Sequence, residues 1–155
     1  MAGLRGDAGF SLLELVVAVS IYGAGMAVAI VGFVHVVAVS HLSMTRNGLL
    51  WNLRWMQAKA YETDTFSYLN LQKFVPSYQT YDGWTLVNTY NFEPGVTYKE
   101  GYLQMPSGQI FYGVPGDSHQ GGTVSLVDDR GDEEDLVLYL NSGLVVAGET
   151  AHDTP

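Results

Sequence analysis

The chain has 155 residues, close to the size of one domain, with 15% charged residues and a net charge of −9. Residues 1–60 carry Arg5, Arg46, Arg54 and Lys59 against Asp7 and Glu14, whereas residues 61–155 set fourteen acids against Lys73, Lys99 and Arg130. So acidic a C-terminal part repels phosphate backbones, which excludes it as a nucleic-acid clamp, and the lack of cysteine excludes disulfides, thiol catalysis, iron–sulfur clusters and Cys-ligated zinc.

No charged residue lies between Glu14 and Arg46, and Leu15–Val39 is apolar apart from Ser20, Tyr22, His35 and glycines. As a helix these residues span roughly 37 Å at about 1.5 Å each, enough to cross a hydrocarbon layer of about 30 Å. A secretory signal core runs only about 7–15 residues, so the stretch reads as a membrane span. One basic residue precedes it and three follow, so the positive-inside count alone does not orient it.

The pattern then becomes amphipathic without a break. Leu42, Thr45, Leu49, Leu53, Met56 and Ala60 recur at steps of three and four, one face of a helix. A single helix from about Phe10 to Tyr61 is predicted, half in lipid and half packed on a soluble domain. Trp51 and Trp55 form a second pair four apart and read as interfacial or core anchors.

From Thr63 the period changes to two. Residues 67–72, 85–90, 96–105, 109–114, 122–127, 136–140 and 144–148 are short β-rich runs, separated by turn signals such as Pro76, Asp82-Gly83, Pro94-Gly95 and Asn141–Gly143. They predict a meandering antiparallel sheet of five to seven strands, with tyrosines as filler on the sheet surface. At about 95 residues this part is marginal alone, so the helix face ending near Ala60 is its natural cover.

Some residues hint at chemistry. Glu14 stands at the edge of the span, where a carboxylate needs a partner; at a helix centre it would cost about 2.5–3.5 kcal/mol. Gly23 with Ala27, and Gly25 with Ala29, place small residues four apart, as close helix packing requires. The acidic run Asp128, Asp129, Asp132, Glu133, Glu134 and Asp135 offers Asp128, Asp129 and Asp132 as weak calcium candidates, but Tyr139 stands where an EF-hand needs Glu. A solvated hairpin loop is the plainer expectation there. Arg130-Gly131-Asp132 spells an adhesion tripeptide too short to be specific. His35 reads as a packed residue, His41 as an interfacial one and His119 as a loop residue. Nucleophile elbow, Walker loop and zinc-helix motifs are all missing, so no enzyme and no cofactor are expected.

Gly9-Phe10-Ser11-Leu12-Leu13-Glu14-Leu15, followed at once by the long apolar helix, resembles the class III signal of type IV prepilins and pseudopilins. The order of Ile110-Phe111, Gly113, Gly121–Val124, Leu136–Leu140 and Asn141–Val145 is most similar to the competence-pilus D-type minor pseudopilins, and more loosely to the H-type pseudopilins of type II secretion. The resemblance implies an α+β pilin-like fold: a long N-terminal helix packed on a C-terminal antiparallel sheet. Its implied parts are a leader (1–9), a transmembrane and filament-core helix (10–42), an amphipathic half (43–61), a β head (62–148) and a flexible tail (149–155).

It further implies cleavage between Gly9 and Phe10 by a prepilin peptidase and N-methylation of Phe10. Glu14, the fifth mature residue, then meets the N-terminal amine of a neighbouring subunit, and the helix N-terminus adds partial positive charge there. The implied protein is a single-pass membrane protein with its C-terminal domain outside. It joins a filament of other pilin subunits through an assembly platform and a separate ATPase, the implied filament being a competence pilus for DNA uptake, with a type II secretion pseudopilin or another type IV minor pilin as the alternative. The rival from another class is a membrane-anchored, exported binding domain that never polymerises.

Overall fold

The computed structural model describes residues 11–99 and 108–148. One α-helix, α1, covers Leu12–Thr63. Its first turn is capped by Ser11, whose Oγ accepts the Glu14 N–H at 3.2 Å. Ser11 and Glu14 have the spacing of a capping box. The helix stops two residues beyond the predicted end, at Asp64, whose φ of 54° breaks the helical repeat without glycine or proline. Phe10, the predicted start, lies outside the described residues.

The chain divides after Val37. In the first unit the helix keeps its apolar side chains exposed: Met26, Val28, Val31 and Phe33 are each at least 70% accessible. It is long and apolar enough to cross a membrane. From Ala38 onward the helix is buried on one face through six residues, Leu42, Thr45, Leu49, Leu53, Met56 and Ala60. These are the six that the three-and-four spacing singles out.

Eight strands follow among the described residues: β1 Ser67–Leu71, β2 Ser77–Asp82, β3 Thr85–Asn91, β4 Val96–Lys99, β5 Gln109–Tyr112, β6 Gly122–Asp128, β7 Glu133–Leu138 and β8 Val145–Ala147. They make two four-stranded antiparallel sheets, ordered β3-β2-β1-β5 and β4-β6-β7-β8, rather than the expected single meander. Width explains the split. A flat eight-stranded sheet would be about 34 Å across at the usual strand spacing, whereas a helix with its side chains is about 10–12 Å wide. Two narrow sheets let both apolar faces reach the same helical stripe. Leu69, Leu71 and Ile110 come from the first sheet, and Val96, Val124, Leu126, Leu136 and Val145 from the second, into one core with the helix.

β2 is absent from the expected strands because Ser-Tyr-Gln-Thr-Tyr-Asp does not alternate: Ser77, Gln79, Thr80 and Asp82 are polar, and the two tyrosines stand three apart. Its inward residues are Tyr78 and Thr80, both buried. The tyrosines depart from the surface-filler expectation for the same reason of register: Tyr78, Tyr98 and Tyr112 alternate with Thr80, Val96 and Ile110 on inward faces. Of the two expectations for the tryptophans, the core one is not met. Two residues of α-helix turn through about 200°, so Trp51 and Trp55 lie about 160° round the helix from Leu53. Trp51 is 70% exposed, and Trp55 carries the Lys59 ammonium 5.1 Å above its ring. At Gly108 (φ 65°) a side chain would collide with the Leu71 carbonyl, because the Gly108 carbonyl accepts the Leu71 N–H where β5 joins β1.

Two predictions follow from the core. Leu53 is fully buried, so Leu53→Ala should cost about 2–5 kcal/mol in denaturant unfolding of the full chain, against within about 0.5 kcal/mol for Trp51→Phe. Burial raises both buried phenols, Tyr78 to about 12 despite the amide of Asn52, and Tyr112 further still. A phenol held neutral in the fold favours folding fully below its unfolded value near 10, and this is lost as pH rises through the folded value. Stability should therefore fall above about pH 10. The Tyr112 hydroxyl has no hydrogen-bond partner among the described residues, so Tyr112→Phe should stabilise the protein by about 1 kcal/mol at neutral pH. The same change should shift the alkaline limb upward; an unchanged limb would show that Tyr112 ionises freely.

Candidate functional site

The predicted site residues fall into two places. Gly9 and Phe10 lie outside the described residues. Glu14 is exposed in the first turn of α1, where its backbone N–H satisfies the Ser11 cap. Among the described residues no group pairs with its carboxylate. Negative charge in a first turn is favoured by the helix dipole at about 0.3–1 kcal/mol when exposed, which accounts for an acid here.

Gly23, Gly25, Ala27 and Ala29 are all exposed. A Cβ added to Gly23 or Gly25 would meet nothing within 4 Å among the described residues. Glycine weakens a helix interior by roughly 0.8–1 kcal/mol relative to alanine. No contact within the described chain offsets that cost.

The acidic run is more ordered than a solvated loop. Its first residue ends β6 and its last three begin β7, and Asp128 and Glu134 are both buried. Asp128 Oδ1 accepts the N–H groups of Arg130 and Asp132, each at 2.9 Å, while Oδ2 faces the Arg130 guanidinium at 3.2 Å. Burial alone would raise this carboxyl. The two backbone N–H groups and Arg130 outweigh it and hold the group below its ordinary value. Arg130 also reaches Asp132 at 3.3 Å, so the turn carries its own cation where a calcium ion was weighed. Among the described residues no three Asp, Glu or His side chains group to hold a metal. The Arg-Gly-Asp tripeptide is folded into this turn.

Glu134 does something the sequence reading missed. Its carboxylate accepts the Ser43 hydroxyl at 2.7 Å and lies 3.1 Å from Arg46 Nε, tying β7 to the helix. Period-two alternation with Leu136 and Leu138 was the available signal that Glu134 points inward. Further polar side chains on the helix flanks make similar ties. Asn52 donates to the Tyr78 hydroxyl at 2.6 Å, Arg54 to the Val145 carbonyl at 3.1 Å, and Gln57 to the Gly116 and Ser142 carbonyls at 3.0 and 2.7 Å. The Thr45 hydroxyl accepts the Glu93 N–H at 3.1 Å, and His41 Nδ1 lies 3.2 Å from the Pro94 carbonyl. His119 is an exposed loop residue beside Asp117.

No protein-family model matches this sequence, and comparison with curated proteins finds no significant match. Among solved structures, the fold is similar to the minor pseudopilin EpsH from the type 2 secretion system of Vibrio cholerae. The TM-score is 0.59 at 11% sequence identity, covering 70% of this chain and 96% of that one. The chain therefore has a pilin-like fold: a long N-terminal helix packed on antiparallel β-sheets.

Proposed function

We propose that the chain is a minor pilin or pseudopilin, a structural subunit of a type IV pilus-like filament. One observation carries the reading: a single helix whose first part presents unbroken apolar side chains outward and whose later part closes a β core. Such a helix suits lipid before assembly and neighbouring helices after it. The pilin-like fold and the Gly9-Phe10 to Glu14 motif support the same reading. In it residues 1–9 are a leader removed by a prepilin peptidase, Phe10 becomes the methylated N-terminus, and residues 10–42 are membrane span and filament core.

Glu14 then offers its carboxylate to the amine of a neighbouring subunit. The pairs Gly23/Ala27 and Gly25/Ala29 let adjacent helices approach, which gives those glycines a purpose that the described chain alone does not. The head lies outside the membrane, and the assembly ATPase acts through the platform rather than on this subunit.

Within filament systems, the order of motifs in the C-terminal half favours a competence pilus for DNA uptake. The acidic head then leaves DNA contact to other subunits. The fold likeness to EpsH favours a second reading, a secretion pseudopilin.

Mass and N-terminal sequence of the protein from its host's membranes test the processing. A start at Phe10 with one added methyl group is expected; a start at Met1, or near His41, would replace the filament reading with an anchored or secreted domain. Glu14→Ala should insert into the membrane normally yet be lost from sheared filaments. Recovery there at the wild-type level would remove Glu14 from assembly.

A further inference from the structure

The outward face of the first sheet carries two side-chain rows. Tyr68 on β1 sits opposite Tyr81 on β2 and Phe111 on β5, forming an aromatic row. Two residues along, Asn70 sits opposite Gln79 and Gln109, forming a row of carboxamides. All six are half-buried and alternate with the inward core residues. None is charged, on a chain of net charge −9.

The rings of the row, with Phe66 beside it, are stacked. Tyr68 and Tyr81 are 4.4 Å apart at 4°, and Phe66 and Phe111 are 5.3 Å apart at 18°. At such separations near-parallel rings overlap face to face, so they turn their edges to solvent. Trp84 differs. It follows the Asp82-Gly83 turn, crosses Phe66 at 77° and is 86% exposed. Its indole leaves a face free and forms one wall of a cleft of about 280 Å³ lined by Phe66, Tyr68, Trp84, Gln109 and Phe111. That is close to the lower end of small-ligand sites, about 300 Å³.

We propose that this cleft binds one ring of a neutral polysaccharide, with the amide row engaging the sugars on either side. A pyranose ring has C–H faces and hydroxyl edges. Its C–H bonds suit the negative face of the indole, and neighbouring hydroxyls suit carboxamides, which donate and accept side by side. The absence of charge selects among occupants. A nucleotide strand would bring phosphates to a cleft with no cation, on an acidic chain. A polyanionic glycan meets the same repulsion. A prolyl helix could use an aromatic groove, but its prolines offer carbonyl acceptors and no N–H donors, so it engages only the amide nitrogens of the row and leaves their oxygens unused. An uncharged sugar chain uses both rows.

The test is calorimetric titration of the full chain in lipid nanodiscs, free of sugar-based detergent, with cellohexaose and with chitohexaose. The indole N–H resonances of Trp51, Trp55 and Trp84 are followed in parallel. Saturable binding of at least one oligosaccharide is expected, with the Trp84 resonance shifting and those of Trp51 and Trp55 staying in place. Trp84→Ala should weaken binding about tenfold or more, the scale of one lost ring stack. Gln109→Ala, which changes a side chain outside the core and whose fold is checked by circular dichroism, should weaken it as well. The proposal is overturned by no saturable heat at millimolar oligosaccharide. It is equally overturned by wild-type affinity in both variants, or by tighter binding of a polyproline peptide or of oligothymidylate.

Discussion

The structure depends on one stripe of six residues, Leu42 to Ala60, running up a single helical face. Both sheets turn their apolar sides toward it, and among the described residues neither has another layer to cover it. Each large side chain fully buried there contributes about 1.5–3 kcal/mol, and Leu49 and Leu53 have no accessible surface left. The narrowness of this stripe sets the architecture around it. Two four-stranded sheets can share it, whereas one broad sheet would leave its outer strands wet.

An apolar stripe with steps of three and four is nearly self-similar after one turn, so packing alone defines the register of helix on sheet weakly. The polar flanks remove that freedom. Arg46 with Glu134, Arg54 with the Val145 carbonyl, and Gln57 with two loop carbonyls all require one axial position of the helix. A slide of one turn, about 5.4 Å, would break them together. For the partly buried Arg46–Glu134 pair, desolvation offsets much of the attraction. Its contribution is better understood as fixing position than as adding net stability.

The sequence made this stripe legible because a helix that covers a core on one side must repeat its apolar residues at the helical period. The strands were legible where apolar and polar residues alternate strongly, as in residues 122–127. They were not legible where the inward residues are tyrosine and threonine, as in β2, because a phenol can be core or surface according to its neighbours. For Trp51 and Trp55 the sequence leaves interface and core open, and their angular position on the helix removes the core alternative. Pairing of β4 with β6 and of β5 with β1 is decided between segments far apart in the chain, which no local period encodes. Of the candidate site, the spacing of Glu14 and the small residues could be read directly. The inward Glu134 needed the strand register, and the aromatic and amide rows needed three strands side by side.

The two stretches of α1 obey different physical demands. After Ala38 every third or fourth residue answers to a partner within the chain, and substitutions there have a local meaning. Before Val37 the large apolar side chains stay exposed, yet the composition is far from arbitrary: charge is excluded over thirty residues, and glycines sit where alanine would make a better helix. In the proposed filament reading, lipid and then neighbouring helices set those demands. Glu14 marks the boundary of that regime. Its backbone N–H is satisfied locally by Ser11, so the cap explains Ser11 and the helix start. The cap leaves the carboxylate itself available, and a carboxylate entering a low-dielectric layer requires a cation or donors to remain charged. The local role of this residue and the intermolecular role proposed for it use different atoms and do not compete.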